Sequence, residues 1–167
     1  MADSTAKALP KQPALLVADE AWLATCMLIQ ERHAEGVPVH DIVRRAQGEF
    51  YGGQPARPGV YAHANGHIVA NKPPSTATGY RMLVAFQDPQ TGEELRRPFV
   101  EGDPCHAKRS GKMVPESADI PRKYHPHLEW YRTEYAPSIR RRKRRSGEVA
   151  ENQTALQPSI RIVRRAS

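Results

Sequence analysis

The chain has 167 residues, a formal net charge of +7 and a hydrophobic content of 39%, which fits one domain with a modest core. No apolar run approaches the roughly 20 residues that span a bilayer, and the N-terminus lacks the apolar segment of a secretory signal. Two cysteines are too few for a disulfide framework, so we expect a cytoplasmic protein that does not associate with membranes.

The whole net charge belongs to the end of the chain. Residues 137–167 hold nine Lys and Arg against two Glu, and residues 1–136 contain sixteen bases and sixteen acids. A basic tail adheres to any polyanion, so a pI near 9.7 does not by itself identify a nucleic-acid-binding fold. We expect a disordered leader over residues 1–17, one domain over 18–136 and a basic disordered tail over 137–167.

The first half of this domain predicts three helices. DEAWLATCMLIQERHAEG has two acids at its start, apolar residues at helical spacing and a closing glycine, which predicts a helix over residues 19–33. VPVHDIVRRAQGEF predicts a short second helix over 39–47. PGVYAHANGHIVANKPP predicts a third over 58–69, which ends before two prolines.

The hydrophobic period then changes to that of strands. YRMLVAFQ and EELRRPFV flank the turn DPQTG and predict a β-hairpin, and RKYHPHLEWYRTEY predicts a closing helix that packs through Leu128, Trp130, Tyr131 and Tyr135. The expected fold class is α+β, a winged helix-turn-helix-like set of three helices and a β-hairpin wing with an additional C-terminal helix. The expected core residues are Trp22, Cys26, Ile29, Ile42, Val43, Val60, Ile68, Leu83 and Phe86.

Several segments carry a family resemblance. EGVPVHDIVRRA is similar to the turn and second helix of winged-helix domains that accompany restriction enzymes and chromatin factors. PGVYAHANGHIVANKPP, GYRMLVAF, RRPFVEGDPCHAKRSGKMVP and IPRKYHPHLEWY resemble a small bacterial domain family with no assigned function. The resemblance covers residues 19–135. It implies a winged-helix-like fold and contact with DNA, and it implies no catalytic residues.

A window of 38 residues, from Phe50 to Gln87, contains no Asp or Glu. A helix offered to DNA keeps carboxylates away from phosphates and uses Arg, Lys and Asn for phosphates or base edges. A span rich in Gly, Pro and Ala is also simply poor in charge, so both interpretations stay open. If the window binds DNA, Tyr61, His63, Asn65 and His67 face the groove, Arg57, Asn71, Lys72 and Arg81 contact the backbone, and Arg140, Arg141, Arg142, Lys143, Arg144 and Arg145 add non-specific affinity.

Further basic residues follow the hairpin turn. Arg96 and Arg97 on the returning strand, then Lys108, Arg109 and Lys112, have two interpretations. They either hold the DNA backbone at the wing or are solvated charges that deter pairing of exposed strand edges.

Metal and catalytic sites are poorly supported. His63 and His67 share a helical face, and Asp103, Cys105 and His106 cluster later, but no paired zinc motif accompanies them. The acids near Asp103 are too loosely spaced for a Mg²⁺-dependent nuclease, and adjacency alone does not make Cys105 and His106 a nucleophile and base. We therefore expect no metal, no cofactor, no small-molecule substrate and no enzymatic activity.

The sequence thus predicts a non-enzymatic module that binds double-stranded DNA, with a basic tail that adds non-specific affinity. The alternative is a protein-interaction scaffold, an accessory to a restriction or defence-type system, with a groove near Trp130 and Tyr131. A positive surface around the third helix favours DNA, and an uncharged apolar patch favours a protein partner.

Overall fold

A computed structural model describes residues 14–66, 68–71, 82–106 and 113–145 of the chain. The expected α+β class is confirmed at the level of four helices and one antiparallel hairpin. Within the described residues, no helix combines the length and the apolar character needed to cross a membrane. In chain order the elements are α1 (Val17–Arg32), α2 (Val39–Phe50), α3 (Pro58–Asn65), β1 (Leu83–Gln87), β2 (Glu94–Pro98), two 3₁₀ turns (Ser117–Asp119 and Arg122–Tyr124) and α4 (His125–Trp130).

The core is built around α1, in which every residue from 18 to 29 is buried. Asp19 and Glu20 lie in the first turn of this helix, where negative charge faces the positive end of the helix dipole. Trp22 is fully buried, and its ring meets that of Tyr131 edge-on with centroids 5.3 Å apart. Every predicted core residue is buried except Val43 and Phe86, which are half-buried.

The hairpin has a different neighbour on each face. Successive residues of a strand point to opposite sides, and the register pairs Ala85 with Arg96 on one side and Val84 with Arg97 on the other. The loop between α1 and α2 adds a one-residue bridge to β2, because Val37 and Arg96 exchange backbone hydrogen bonds of 2.9 and 2.8 Å. Gly36 makes this approach possible, since a Cβ atom there would lie 2.6 Å from the Phe86 ring.

The third helix is shorter than predicted. It ends at Asn65 rather than near Val69, because the chain beyond it pairs with β1 instead. Ile68 forms a parallel bridge with Leu83, and the Val69 amide donates to the Leu83 carbonyl at 3.0 Å. Backbone hydrogen bonds to a strand therefore replace the last predicted helical turn.

The C-terminal helix (residues 125–145) is longer than predicted. After α4 it passes through a π-helical turn, Tyr131–Tyr135, and continues over residues 136–145. The prediction that disorder begins at residue 137 is therefore wrong for 137–145, while 1–13 and 146–167 lie outside the described residues. The wide turn ends two residues before Pro137, whose ring would clash with the carbonyl four residues earlier in a regular α-helix.

The inner face of the C-terminal helix packs on the core, as the sequence predicted. Leu128, Tyr131 and Tyr135 are buried and Trp130 is half-buried. Beyond Pro137 this buried face continues to Ile139, which is only 5% exposed.

Candidate nucleic-acid interface

The third helix packs through one face and leaves the other open. Val60 and Ala64 are fully buried, whereas the Tyr61 side chain is 53% exposed and Asn65 lies exposed one turn later. Residues four apart share a helical face, so Tyr61 and Asn65 form one accessible surface. His63 is half-buried, and His67 lies outside the described residues.

Arg57, immediately before α3, has its charge neutralised within the domain. Its Nε atom donates to the Tyr51 hydroxyl at 2.7 Å, and its Nη2 atom donates to the buried Glu20 carboxylate at 3.0 Å. The hydrogen bond to Tyr51, with Glu20 beside it, raises the pKa of the Arg57 guanidinium. Arg57 therefore links the start of α3 to α1, while its side chain stays 54% exposed.

Of the other three residues predicted to contact the DNA backbone, the structure describes only Asn71. The Asn71 side chain is exposed, and its Nδ2 atom donates to the Gly66 carbonyl at 2.8 Å, so it closes the turn after α3. Lys72 and Arg81 lie outside the described residues, as do Lys108, Arg109 and Lys112.

Arg96 is an internal residue, and neither interpretation of it from the sequence is correct. Its side chain is 2% exposed. The guanidinium donates to the carbonyls of Ala64 and Asn65 at 2.8 and 3.1 Å, and to the Glu94 carboxylate at 2.7 Å. The last carbonyls of a helix lack intrahelical donors, and a cation there complements the helix dipole. Arg96 therefore caps the C-terminus of α3.

Arg97 is internal on the opposite face of the hairpin. Its guanidinium makes two parallel hydrogen bonds, of 2.9 and 2.7 Å, to the two carboxylate oxygens of Asp103. It also lies over the Phe86 ring, 5.9 Å from the centroid. Arg97 is thus not a solvated edge charge, because it is 11% exposed, pairs with Asp103 and lies beneath the C-terminal helix.

The RRRKRR cluster is helical and divides into two faces. Lys143 contacts Asp103 and Arg142 contacts Glu35, and both line a cavity together with Ile139, Phe86 and Arg97. At 100° per residue, Arg141 and Arg144 point away from this inner face, and Arg140 and Arg145 flank it on either side. They are exposed and form no ion pair with any described residue, and we call them the outer arginines: Arg140, Arg141, Arg144 and Arg145.

The tip of the hairpin is acidic rather than basic. Asp88, Glu93 and Glu94 stand around the turn, and Glu93 and Glu94 are exposed. The Asp88 carboxylate accepts a hydrogen bond from the Gln90 amide at 2.9 Å and so shapes the turn. Acids at this tip would meet phosphates with like charge, so the wing itself is a poor backbone contact.

The alternative sites receive limited support. Among the described residues, no three His, Cys, Asp or Glu side chains come together as metal ligands require. Trp130 lines a groove of about 470 Å³ with His33 and Glu134. Tyr131 is buried, and its hydroxyl donates to the Phe99 carbonyl, so it is not part of an open surface there.

Sequence reasoning considered Asp103 only as a metal or nuclease residue and did not consider Ile139, and both organise the basic cluster. A periodic signal was present, because Leu128, Tyr131, Tyr135 and Ile139 follow one another at intervals of three and four residues. Pro137 interrupts that series and favoured the interpretation of a domain end. Asp103 had no such signal, since its partner Lys143 is forty residues away.

No family model matches the chain, and no curated protein or solved structure matches it at a significant level. The resemblance to a small bacterial domain family therefore stays a prediction.

Proposed function

We propose that this protein is a non-enzymatic winged-helix-like module that binds double-stranded DNA. The observation that carries the proposal is the set of four outer arginines, which lie on the outer side of the C-terminal helix, spread over about 140° of its circumference, and form no ion pair with described residues. Arginines in such an arrangement suit a row of phosphates, because each neutralised phosphate releases bound counterions.

The winged-helix interpretation draws support from the order of elements and from one bridge. Three helices precede the hairpin, and the Val37–Arg96 bridge connects the loop between α1 and α2 to the sheet. In this arrangement α3 is the candidate recognition helix, and Tyr61 and Asn65 are its candidates for the groove.

The phosphate contacts of this proposal differ from those of a basic wing. The hairpin tip is acidic, Arg57 is paired with Glu20, and Arg96 and Arg97 are engaged inside the domain. The outer arginines therefore supply the sequence-independent affinity, and α3 supplies the contact with base edges.

The experiment compares the full chain with a variant in which all four outer arginines are changed to Gln. Fluorescence anisotropy on a mixed-sequence duplex between 50 and 300 mM salt should show that the slope of log K against log salt falls by about 0.9 for each phosphate contact removed. Point changes are preferable to truncation after Ala136, because truncation would also remove Ile139 and Lys143 and uncover Asp103.

Two controls separate charge from position. The four-fold Arg→Lys variant keeps the charge and should keep most of the salt slope. Arg44→Gln removes a 76% exposed arginine from α2 and should leave the slope unchanged. An unchanged slope in the four-fold Gln variant, or the absence of duplex binding by the wild-type chain at 50 mM salt, contradicts the proposal.

A protein-interaction scaffold is the second candidate, favoured by the groove that contains Trp130. The groove also contains His33 and Glu134, and its floor includes Ile29 of the core helix. If duplex binding is absent, a Trp130→Ala variant in partner-capture experiments is the next test, and retention of every partner by that variant would exclude the groove.

A further inference from the structure

The carboxylate of Asp103 is the most enclosed acidic group of the hairpin region. Its side chain is 1% exposed. One oxygen accepts from the Arg97 guanidinium at 2.7 Å, and the other accepts from the same guanidinium at 2.9 Å and from the Val100 amide at 2.8 Å. A carboxylate this deeply enclosed is tolerated only when it is paired and hydrogen-bonded, so these partners hold it in one orientation.

The C-terminal helix supplies the remaining partner of this carboxylate. The Lys143 ammonium contacts the Asp103 oxygen that Arg97 also approaches. Ile139, one turn earlier on the same helical face, lines the cavity beside Phe86. Ile139 and two ionic contacts, Lys143 with Asp103 and Arg142 with Glu35, thus attach the last two described turns of the helix to the rest of the domain.

We propose that Asp103 is a positioning residue for the outer arginines. Because Lys143 is fixed inward, the outer arginines are held on the other side of the helix as a rigid group. For its ligand the inference rests on the proposed function, since the group is useful only if a polyanion such as duplex DNA binds there. A rigid group loses less conformational entropy on binding than a flexible tail of the same charge.

The protonation behaviour of Asp103 agrees with this geometry. Burial alone would raise the pKa of its carboxyl, but the hydrogen bonds from Arg97, Lys143 and the Val100 amide outweigh burial. The net pKa lies below its usual value, so the contact with Lys143 is charged at neutral pH.

For Asp103→Asn, electrostatic attraction alone and a positioning role predict opposite changes in duplex affinity. The change adds one unit of positive charge, and by electrostatics alone it strengthens attraction to phosphates. If Asp103 positions the helix, the same change weakens duplex binding. The matched control is Glu129→Gln, which makes an equal charge change at an exposed position of the C-terminal helix.

The first measurement is amide hydrogen exchange of the full chain without DNA. Amides 139–145 should exchange at least about tenfold faster in Asp103→Asn than in the wild type, while the amides of α1 keep their protection. Glu129→Gln should leave both segments unchanged. Equal exchange of 139–145 in Asp103→Asn and the wild type overturns the positioning role, whether or not the protein binds DNA.

The second measurement is duplex affinity at 100 mM salt. We expect Asp103→Asn to bind several-fold more weakly than the wild type, and Glu129→Gln to bind equally or more tightly. Asp103→Asn binding as tightly as Glu129→Gln overturns the inference. Failure of the wild type to bind duplex contradicts the proposed function instead, and the exchange result still decides whether Asp103 holds the helix.

A second pair of variants covers the case in which Asp103→Asn does not fold. Lys143→Gln and Arg144→Gln remove the same charge from neighbouring positions of the cluster. Lys143→Gln should accelerate exchange over 139–142, whereas Arg144→Gln should leave exchange unchanged and reduce only the salt slope. Identical exchange in these two variants overturns the inference.

Discussion

Two pairs of adjacent arginines in this protein have opposite environments. Arg96 and Arg97 of β2 lie inside the domain, and their guanidiniums bond to carbonyls of α3 and to Asp103. Arg144 and Arg145 stand at the end of the C-terminal helix, exposed and without an ion pair to any described residue. The number of arginines in a segment therefore does not tell how much charge that segment offers to a ligand.

The difference arises from what covers each element. Strand residues alternate between the two faces of a hairpin, and here α3 adjoins one face and the C-terminal helix the other. Both arginines of β2 are therefore enclosed. A helix that is attached along one side leaves the other side to solvent, and so the outer arginines stay accessible.

The largest difference between the two pairs should appear in the free energy of unfolding when one arginine of each pair is changed to methionine. Arg96→Met leaves the carbonyls of Ala64 and Asn65 without their donor, and we expect a loss of about 3 kcal/mol in the free energy of unfolding. Arg144→Met should change that free energy by less than about 0.5 kcal/mol. Urea denaturation followed by circular dichroism measures both.

Measurements of duplex binding by the same variants should show a large effect where the stability measurement shows a small one. Arg144→Met should lower the salt slope by about 0.9, while the stability is retained. An Arg96→Met protein as stable as the wild type would mean that the α3 carbonyls find other donors, and the internal role of Arg96 would then be wrong.

Much of the fold could be predicted because its signals are local. The acids at the start of α1, its apolar spacing and the turn residues between the strands act over a few residues, and each gave an element close to its observed bounds. The core prediction was correct for the same reason, with Val43 and Phe86 less buried than expected.

The environment of the arginines could not be predicted because it depends on contacts distant in sequence. EELRRPFV predicts a strand, but which of its faces is covered depends on α3, about thirty residues earlier, and on Ile139, about forty residues later. Pro137 added to the error, because a proline in a polar stretch normally ends a helix. Here a π-helical turn before the proline accommodates it, and the helix continues.

A smaller effect on stability is expected from His127, whose half-buried ring is intermediate between the enclosed arginines of β2 and the exposed outer arginines. Its Nδ1 atom is 2.7 Å from the Gln30 side-chain oxygen. Burial, assisted by Arg45 and opposed by Glu49 and Glu31, lowers the pKa of His127 below its usual value of about 6.5. Because the unfolded chain then binds more protons, the stability of the folded state should decrease as the pH falls below about 6.5.

The measurement for His127 is the free energy of unfolding at pH 7.5, 6.5 and 5.5. His127→Gln carries no titrating group, so the decrease between pH 7.5 and 5.5 should be smaller in this variant than in the wild type. At pH 7.5 the ring is mostly neutral in both states and contributes little pH dependence. A variant that loses as much stability as the wild type on acidification would show that burial of this ring does not affect its titration.

The smallest effect should come from the other partner of Arg96. Glu94 accepts from the Arg96 guanidinium at 2.7 Å, but its side chain is 61% exposed, whereas Asp103 opposite Arg97 is 1% exposed. An exposed carboxylate contributes little, because water already screens it, so Glu94→Gln should cost less than about 0.5 kcal/mol in urea denaturation. Asp103→Asn should cost several times more, since it weakens a pair that water does not reach.

Equal costs would mean that ion pairs alone hold the two arginines and that the α3 carbonyls do not fix the position of Arg96. A larger loss of stability for Asp103→Asn than for Glu94→Gln would show that the carbonyls of α3 fix the position of Arg96. It would also show that Arg97 is fixed by Asp103, the acid that contacts Lys143.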